Sequence, residues 1–378
     1  MRTLVIGLLV SLASLVFGAT VGLHPSLAAD DQAYLRIFAD TQVMKMAGMP
    51  PLPPMPQMPN IPGLGSMMKK IPGMGGPMRT LQVRLFAPLI APDNATASLA
   101  IPDVLKLGPK LDLELYRPKP EPVKPGEVSP DQTPDFTVLR YWGSSPTVKE
   151  GQPETFNWGA LTDEQKAMLR EEMSKSAKKS QYLYKEDWTT GYWPNGKATG
   201  MLDDKASLVG HYALTTTFTG NVQLDVPSGV DILGGINLTA PDLTQFPPLD
   251  QAMTFNWDPV DGVLGYYATI IGMKGDKTMI TWSSSEVKEG AVSAWDYLDE
   301  NRVAELVEAT VFMAPDRQEV TVPAGIFQDC DTVFMMMIGF GRGVAPGQGT
   351  PLPSLQTRTT LMVTLGGKKM QEEGDGGA

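Results

Sequence analysis

Apolar and polar residues alternate in several short stretches of the chain, and Pro and Gly residues separate these stretches. The clearest alternating triplets are Leu81, Val83 and Leu85; Ala97, Leu99 and Ile101; and Leu111, Leu113 and Leu115. A period of two with one apolar face is typical of a half-buried strand. The pattern therefore predicts a small β segment over residues 81–117.

A different composition precedes this segment. Tyr34, Ile37 and Phe38 follow helical spacing, which predicts a short helix over residues 29–43. Residues 44–78 then hold nine Met, nine Pro and six Gly. Because proline interrupts helices and lacks the donor that a sheet needs, we expect residues 29–80 to be a mobile Met/Pro/Gly-rich segment. A second Pro-rich stretch predicts a linker over residues 118–135.

Two short motifs recur in the second half of the chain. Thr-Phe-Asn-Trp at 155–158 returns at 254–257, and Val-Pro-Ser-Gly-Val at 226–230 returns as Val-Pro-Ala-Gly-Ile at 322–326. Two matches in the same order, at nearly equal offsets, indicate related domains. We expect them at 136–242 and 243–366, with Trp158 and Trp257 in equivalent core positions and a disordered tail at 367–378.

The second unit resembles a known fold. A strand ending at Trp257, a turn at 258–262 and a strand containing Tyr266 are similar to the opening of fibronectin type III-like and related immunoglobulin-like domains. The resemblance covers about 245–365, is weaker over 136–242, and implies a β-sandwich in which Trp257 and Tyr266 pack together in the core. A helical stretch at 293–309 interrupts this unit, and a capping box formed by Thr162 and Gln165 begins a helix in the first. The fold expected is mainly β, with two tandem sandwich domains, each with a helical insertion, and a smaller N-terminal β segment.

The N-terminus predicts export. Arg2, an apolar run at 4–17 and the small residues Ser26 and Ala28 indicate a signal peptide over residues 1–28. No later segment is apolar for long enough to span a membrane, so we expect no span in the mature chain. The predicted destination is the periplasm, the outer surface or the extracellular space.

Charge and residue counts exclude several classes of function. A net charge of −11 argues against binding to nucleic-acid phosphates. Removal of the signal peptide leaves one His, His211, in a strand-like run, and the single cysteine, Cys330, beside an apolar stretch that predicts burial. Multi-His and Cys-based zinc sites are therefore excluded, and we expect neither a cofactor nor a catalytic residue.

Carboxylate-based hydrolysis remains open, because it needs only two acids in a cleft. Asp203, Asp204, Asp258 and Asp261 are the candidates. Since Asp is also common in turns, a structural role is the preferred interpretation.

Two sets of residues are candidate binding sites. Met44 with Met46, Met55 with Met58, and Met67 with Met68 offer soft thioether ligands for copper, or adaptable apolar contacts for a partner. Trp188, Tyr192 and Trp193 near a turn, and Arg342 in a Gly-rich loop at 342–349, are typical anchors for a protein or glycan.

The favoured function is an exported, non-catalytic structural or binding protein of the bacterial cell envelope, with self-assembly possible. One alternative is a copper-binding protein that uses the Met-rich tract. The other is a carbohydrate-binding or carbohydrate-active protein.

Overall fold

The computed structural model describes residues 32–48, 76–117, 136–166, 168, 188–196, 198–288 and 298–367. The predictions for the signal peptide, the linker at 118–135 and nearly all of the tail lie outside the described residues. So do those for Met55, Met58, Met67 and Met68.

The described residues form seventeen strands and one longer helix. The strands are β1 (Tyr34–Met46), β2 (Met78–Ala87), β3 (Ala97–Ala100), β4 (Lys110–Asp112), β5 (Glu114–Tyr116), β6 (Thr137–Trp142), β7 (Glu154–Asn157), β8 (Thr189–Trp193), β9 (Gly210–Thr216), β10 (Val222–Val226), β11 (Leu238–Ala240), β12 (Met253–Trp257), β13 (Val263–Lys274), β14 (Thr278–Ser283), β15 (Glu319–Val322), β16 (Thr332–Val344) and β17 (Leu352–Gly366). The helix is α1 (Glu300–Glu308). The prediction of a mainly β chain is confirmed.

A single ten-stranded sheet dominates the fold, with the order β5-β8-β2-β1-β17-β16-β13-β14-β6-β7. The pairs β1/β17 and β14/β6 are parallel, and the other pairs are antiparallel. Strands from the predicted N-terminal β segment and from both predicted sandwich units therefore share one sheet. The boundaries drawn at residues 117, 136 and 243 do not separate sheets in the described chain.

Two smaller sheets share buried cores with one face of the large sheet. The four-stranded sheet has the order β10-β9-β3-β4, and the three-stranded sheet has the order β11-β12-β15. Ile37 and Val83 of the large sheet meet Tyr212 of the first small sheet in one core. Ile270 of the large sheet meets Phe255 of the second small sheet in the other core. The two cores thus lie side by side on one continuous sheet.

The predicted helix over residues 29–43 is wrong, because Tyr34–Met46 is a strand near the middle of the large sheet. Strand β1 lies between β2 and β17 and is buried from Tyr34 to Thr41. A strand that is buried on both faces carries no simple apolar alternation, so chance helical spacing was misleading. The expected mobile segment at 29–80 is accordingly also wrong for its two ends, which form β1 and the start of β2.

The helical insertions are confirmed where they are described. Asp299 caps α1, because its Oδ1 accepts a hydrogen bond of 2.8 Å from the Arg302 N–H. Thr162 Oγ1 accepts from the Gln165 N–H at 3.2 Å, and the Thr162 N–H donates to Gln165 Oε1 at 2.9 Å, so the capping box is present. Within the described residues, no helix has the length and apolar character needed to cross a membrane.

The repeated Thr-Phe-Asn-Trp motif does not mark equivalent positions. Trp158 and Trp257 are both buried, as expected. However, the first copy forms β7, at the edge of the ten-stranded sheet, whereas the second forms β12, between β11 and β15. The same tetrapeptide contributes to a strand in both places, but the strands that pair with it differ.

Candidate functional site

The ten-stranded sheet has an outer face, which points away from the two smaller sheets. Helix α1 lies on this face, where Val303 and Leu306 pack against Tyr267, Ile338 and Phe340. Successive side chains of a strand alternate between the two faces. The strand register therefore identifies the other side chains that share the outer face with Ile338 and Tyr267.

Next to the α1 contact, the outer face carries a group of apolar side chains that we name the methionine face. Its members are Met44 and Met46 of β1, Met362 of β17, Phe334 and Met336 of β16, and Ile271 of β13. These four strands are consecutive neighbours in the sheet. The face therefore crosses the middle of the sheet and not its rim.

Two cross-strand rows order the methionine face. In the first row, Met44 is paired with Met362, which is paired with Met336. In the second row, Met46 is paired with Thr364, which is paired with Phe334. Paired residues on adjacent strands lie about 4.5–5.5 Å apart and on the same side of the sheet, so each row brings its side chains together.

Much of this apolar surface is accessible. Met44, Met46 and Phe334 are 38%, 44% and 41% exposed. Met336 and Met362 are half-buried, and Met336 also packs against the cluster under α1. Exposed apolar side chains that lie next to one another are a common mark of a binding site.

The sequence did not reveal four members of this face: Met336, Met362, Phe334 and Ile271. Met336 and Met362 lie 292 and 318 residues from Met44 along the chain, and only the register of β1, β17 and β16 brings them together. The signal that was available, the Met-rich tract, identified Met44 and Met46. The remaining partners are ordinary strand residues in the sequence.

The predicted aromatic site near residue 193 is not an exposed loop. Trp193 ends β8 and is buried in the core beneath the four-stranded sheet, so its prediction as a binding anchor is wrong. Residues of β8 alternate between buried and half-buried, and Trp193 falls on the buried side. Trp188 is half-buried and precedes the strand.

Tyr192 occupies the other side of β8 and makes local contacts. The guanidinium carbon of Arg84 lies 5.9 Å from the centre of its ring. A hydrogen bond to Glu114 raises the pKa of the Tyr192 hydroxyl, because the bond favours the neutral phenol. Tyr192 thus belongs to a polar cluster on neighbouring strands and does not join Trp193 in one site.

Arg342 lies within β16 and not in a loop. Its side chain is exposed, and its carbonyl accepts a hydrogen bond of 2.8 Å from Thr357 Oγ1. The connection between β16 and β17 covers only residues 345–351. The loop predicted at 342–349 is therefore partly strand, because its first residues continue the pairing of β16 with β17.

Residues considered for catalysis are placed apart from the methionine face. His211, in β9, is exposed, and its Nδ1 lies 2.8 Å from Oδ1 of Asp225 on the paired strand β10. Cys330 is buried, as predicted. Among the described residues, no three His, Cys, Asp or Glu side chains converge as metal ligands.

Two of the four candidate acids, Asp203 and Asp258, have structural contacts in their loops. Asp203 accepts hydrogen bonds from the Lys205 N–H at 2.8 Å and from Lys106 Nζ at 3.2 Å. These bonds, the backbone one first, lower the pKa of the Asp203 carboxyl, which does not suit a general acid. Asp258 accepts a bond of 2.6 Å from Asn237 Nδ2. Each of these contacts fits a turn residue.

An open groove of about 440 Å³ lies beside β3, β4 and β5. Three of the charged side chains that line it, Lys110, Asp112 and Arg117, have partners within the chain. Lys110 Nζ lies 2.9 Å from Asp112 Oδ1, and the Arg117 guanidinium donates to the carbonyls of Ala91 and Pro92 at 2.9 and 2.8 Å. Arg117 therefore anchors the adjacent loop, and the methionine face remains the stronger candidate site.

Comparison with known proteins does not assign the chain to a family. No family model matches the chain, and no curated protein matches its sequence.

Proposed function

We propose that the chain is an exported, non-catalytic binding protein of the bacterial cell envelope, and that the methionine face is its ligand-binding surface. The observation that carries the proposal is the alignment of Met44, Met362 and Met336 across three adjacent strands beside exposed Phe334. Export rests on the predicted signal peptide at residues 1–28. The absence of a catalytic residue is an expectation from the sequence.

The large sheet supports this proposal because it provides a rigid platform. The methionine face lies on β1, β17, β16 and β13, which are internal strands with neighbours on both sides. Sites that are built on internal strands hold their geometry better than sites on loops. Methionine side chains on such a platform can still adapt their shape, because they are unbranched and polarizable.

The fibronectin type III-like arrangement expected for about residues 245–365 is part of the same proposal, extended at its N-terminal side to include β11. Strands β11, β12 and β15 form one layer, and β13, β16 and β17 belong to the facing layer. In this interpretation they correspond to strands A, B and E, and to strands C, F and G, of an immunoglobulin-type sandwich. The ring centres of Trp257 and Tyr266 lie 5.5 Å apart, which agrees with the packing that the resemblance implies.

Copper binding is the second candidate, and a specific observation favours it. Met44, which the sequence suggested as a copper ligand, has two further methionines beside it in one row. No comparable feature of the described residues supports the carbohydrate alternative, since Trp193 is buried in a core.

Methionine oxidation can test the binding surface without knowledge of the ligand. Intact cells and the purified, dialysed protein are treated briefly with hydrogen peroxide, and sulfoxide formation at each methionine is measured by mass spectrometry. We expect Met44 and Met46 to react in the purified protein and to be protected at least threefold in cells. Met168, which is 61% exposed and outside the methionine face, is the internal control and should react equally in both.

Equal oxidation of Met44 and Met46 in cells and in the purified protein would contradict the proposed surface. Cell fractionation of the tagged chain tests export separately. We expect the tagged protein outside the cytoplasm, and recovery in the cytoplasmic fraction would refute export.

A further inference from the structure

We propose that Met44, Met362 and Met336 form a binding site for a soft monovalent metal ion, Cu(I), with Met46 beside it. The inference rests on the proposed function, because it names the chemical class of the ligand that the methionine face holds. It adds Met336 and Met362 as ligands, which the Met-rich tract alone did not suggest. Spacing, donor chemistry and the surroundings of the row each support the site.

The spacing of the row suits one ion. Neighbouring strands lie about 4.8 Å apart, so Met44 and Met336 are each one strand away from Met362 and about 9.6 Å from each other. Three sulfur atoms that surround an ion in a plane, at a bond length of roughly 2.3 Å as in zinc–sulfur sites, are about 4 Å from each other. The sulfur atoms of Met44 and Met336 must therefore each lean roughly 3 Å toward Met362 to meet at one ion. Methionine allows this without backbone movement, because its side chain is unbranched and has three rotatable bonds.

The donor type selects the metal. Thioether sulfur is a soft, neutral ligand that favours Cu(I), whereas Zn(II), Ca(II) and Mg(II) prefer imidazole, thiolate or oxygen ligands. Thioethers carry no proton that binding would have to displace. Affinity at this site should therefore be nearly constant between about pH 5 and 8, unlike that of sites built from His or Cys.

The described strands place only uncharged polar side chains beside the row on this face, Thr364 on one side and Gln42 and Thr360 on the other. Their oxygen and nitrogen atoms suit a soft ion less well than thioethers do. Lys45 lies between Met44 and Met46 in the sequence and so faces the opposite side of β1, where its Nζ donates to the Leu238 carbonyl at 3.2 Å. Thr364 and Phe334 form the next row on the methionine face, and neither contributes a charge. A purely apolar partner would also fit this surface, but it would not need three sulfur atoms in one row.

The test is a titration of the full-length protein with Ag(I), a redox-stable substitute for Cu(I). It is repeated with Cu(I) under anaerobic conditions, against a chromogenic chelator. Met362→Leu and Met336→Leu remove one sulfur each while almost conserving volume. Met335→Leu is the matched control, because Met335 is next to Met336 in the sequence but points into the core.

We expect Met362→Leu and Met336→Leu each to weaken the tightest Ag(I) site at least tenfold, and Met335→Leu to leave it unchanged. A fourfold variant that replaces Met55, Met58, Met67 and Met68 with leucine tests whether the tract alone binds the ion. It should retain the tight site, and a Zn(II) excess should not compete with Ag(I).

Wild-type affinity in both row variants, or loss of all Ag(I) binding in the fourfold variant, would overturn the metal site. The in-cell oxidation test does not depend on these results and still tests the proposed function. If Met44 and Met46 were still protected in cells, the methionine face would bind a ligand that is not a soft metal. If protection were also absent, both proposals would fail.

Discussion

Replacement of Asp40 by asparagine should destabilise the protein strongly, because Asp40 forms a buried ion pair in the middle of the large sheet. The Asp40 and Arg358 side chains are 3% and 8% exposed, and Arg358 Nε lies 3.3 Å from Asp40 Oδ2. Asp40 Oδ1 also accepts a hydrogen bond of 3.0 Å from Thr360 Oγ1, and Oδ2 accepts one of 2.9 Å from Gln42 Nε2. The carboxylate thus links β1 to its parallel neighbour β17.

The loss of stability in Asp40→Asn follows from the positive charge of Arg358, which stays buried. An asparagine side chain at this position would keep an oxygen acceptor of similar shape but would leave the Arg358 guanidinium buried without its counter-ion. Removal of one partner from a buried pair usually costs about 3–5 kcal/mol. We expect about 3 kcal/mol for Asp40→Asn, at the low end of that range, because the amide oxygen can still accept a hydrogen bond from Thr360.

Urea denaturation followed by tryptophan fluorescence measures this change. Asp329→Asn is the matched control, since Asp329 Oδ2 pairs with Lys274 Nζ at 3.0 Å but both side chains are about half exposed. An exposed pair contributes at most about 1 kcal/mol. The double variant Asp40→Asn/Arg358→Met, which removes both charges, should recover part of the loss and provides folded protein if Asp40→Asn alone is too unstable.

A loss below about 1 kcal/mol for Asp40→Asn, equal to that of the control, would refute this reasoning. It would mean that Asp40 is solvated and that β1 does not run beside β17 as described. A double variant that is no more stable than Asp40→Asn would show that the two charges are not coupled.

Three further predictions concern stability. Trp257→Ala should lower the free energy of unfolding by about 3–5 kcal/mol, as is usual for a buried aromatic residue. Trp158→Ala should lower it by less, because Trp158 follows an edge strand, and equal losses for the two variants in urea denaturation would contradict this difference. Burial acts to raise the pKa of Glu286, but hydrogen bonds and charges, with Lys149 foremost, outweigh it and hold the pKa below its usual value. A group with a lowered pKa in the folded state stabilises the protein above its unfolded pKa of about 4.3, and this contribution is lost as the pH falls. Glu286→Gln should therefore lower the free energy of unfolding by about 1 kcal/mol at pH 7, since the carboxylate is partly solvated. The variant should also show a smaller decline in stability below about pH 5 than the wild type. An identical pH profile for the two proteins would contradict a lowered pKa of Glu286. His211→Asn should change the free energy of unfolding by less than about 1 kcal/mol, because the residue forms an exposed pair, and a larger loss would show an unexpected structural role.

Period-two alternation gave reliable strands where one face is buried and the other is accessible. Leu81, Val83 and Leu85 lie on β2 with their side chains in a core, and the packing of Trp257 against Tyr266 is also observed. In these elements, local sequence and tertiary environment agree. The sequence could therefore predict the class of the fold.

The same rules failed at β1 because its environment is set by distant strands. Both faces of β1 are buried near Asp40, and the carboxylate is tolerated there because Arg358 and Thr360 of β17 and Gln42 of β1 pair with it. Nothing in the sequence around Asp40 indicates such a partner. Trp193 shows the converse case, in which an aromatic residue near a turn was expected to be exposed but falls on the buried side of β8.

The candidate site was predictable only in part for the same physical reason. Met44 and Met46 stood out because they belong to the Met-rich stretch at 44–78. Met336 and Met362 are ordinary strand positions until the register places them beside Met44. A surface that is assembled from β1, β16 and β17 has no local sequence signature.

The most direct measurement is NMR of the purified protein with ¹³C-labelled methionine methyl groups. We predict nuclear Overhauser contacts from the Met362 methyl group to those of both Met44 and Met336, because these residues are paired across β1, β17 and β16. We also predict that these three resonances shift together on addition of Ag(I), while that of buried Met335 does not. Absence of both contacts, with the three resonances unaffected by Ag(I), would contradict the methionine face as an assembled binding site.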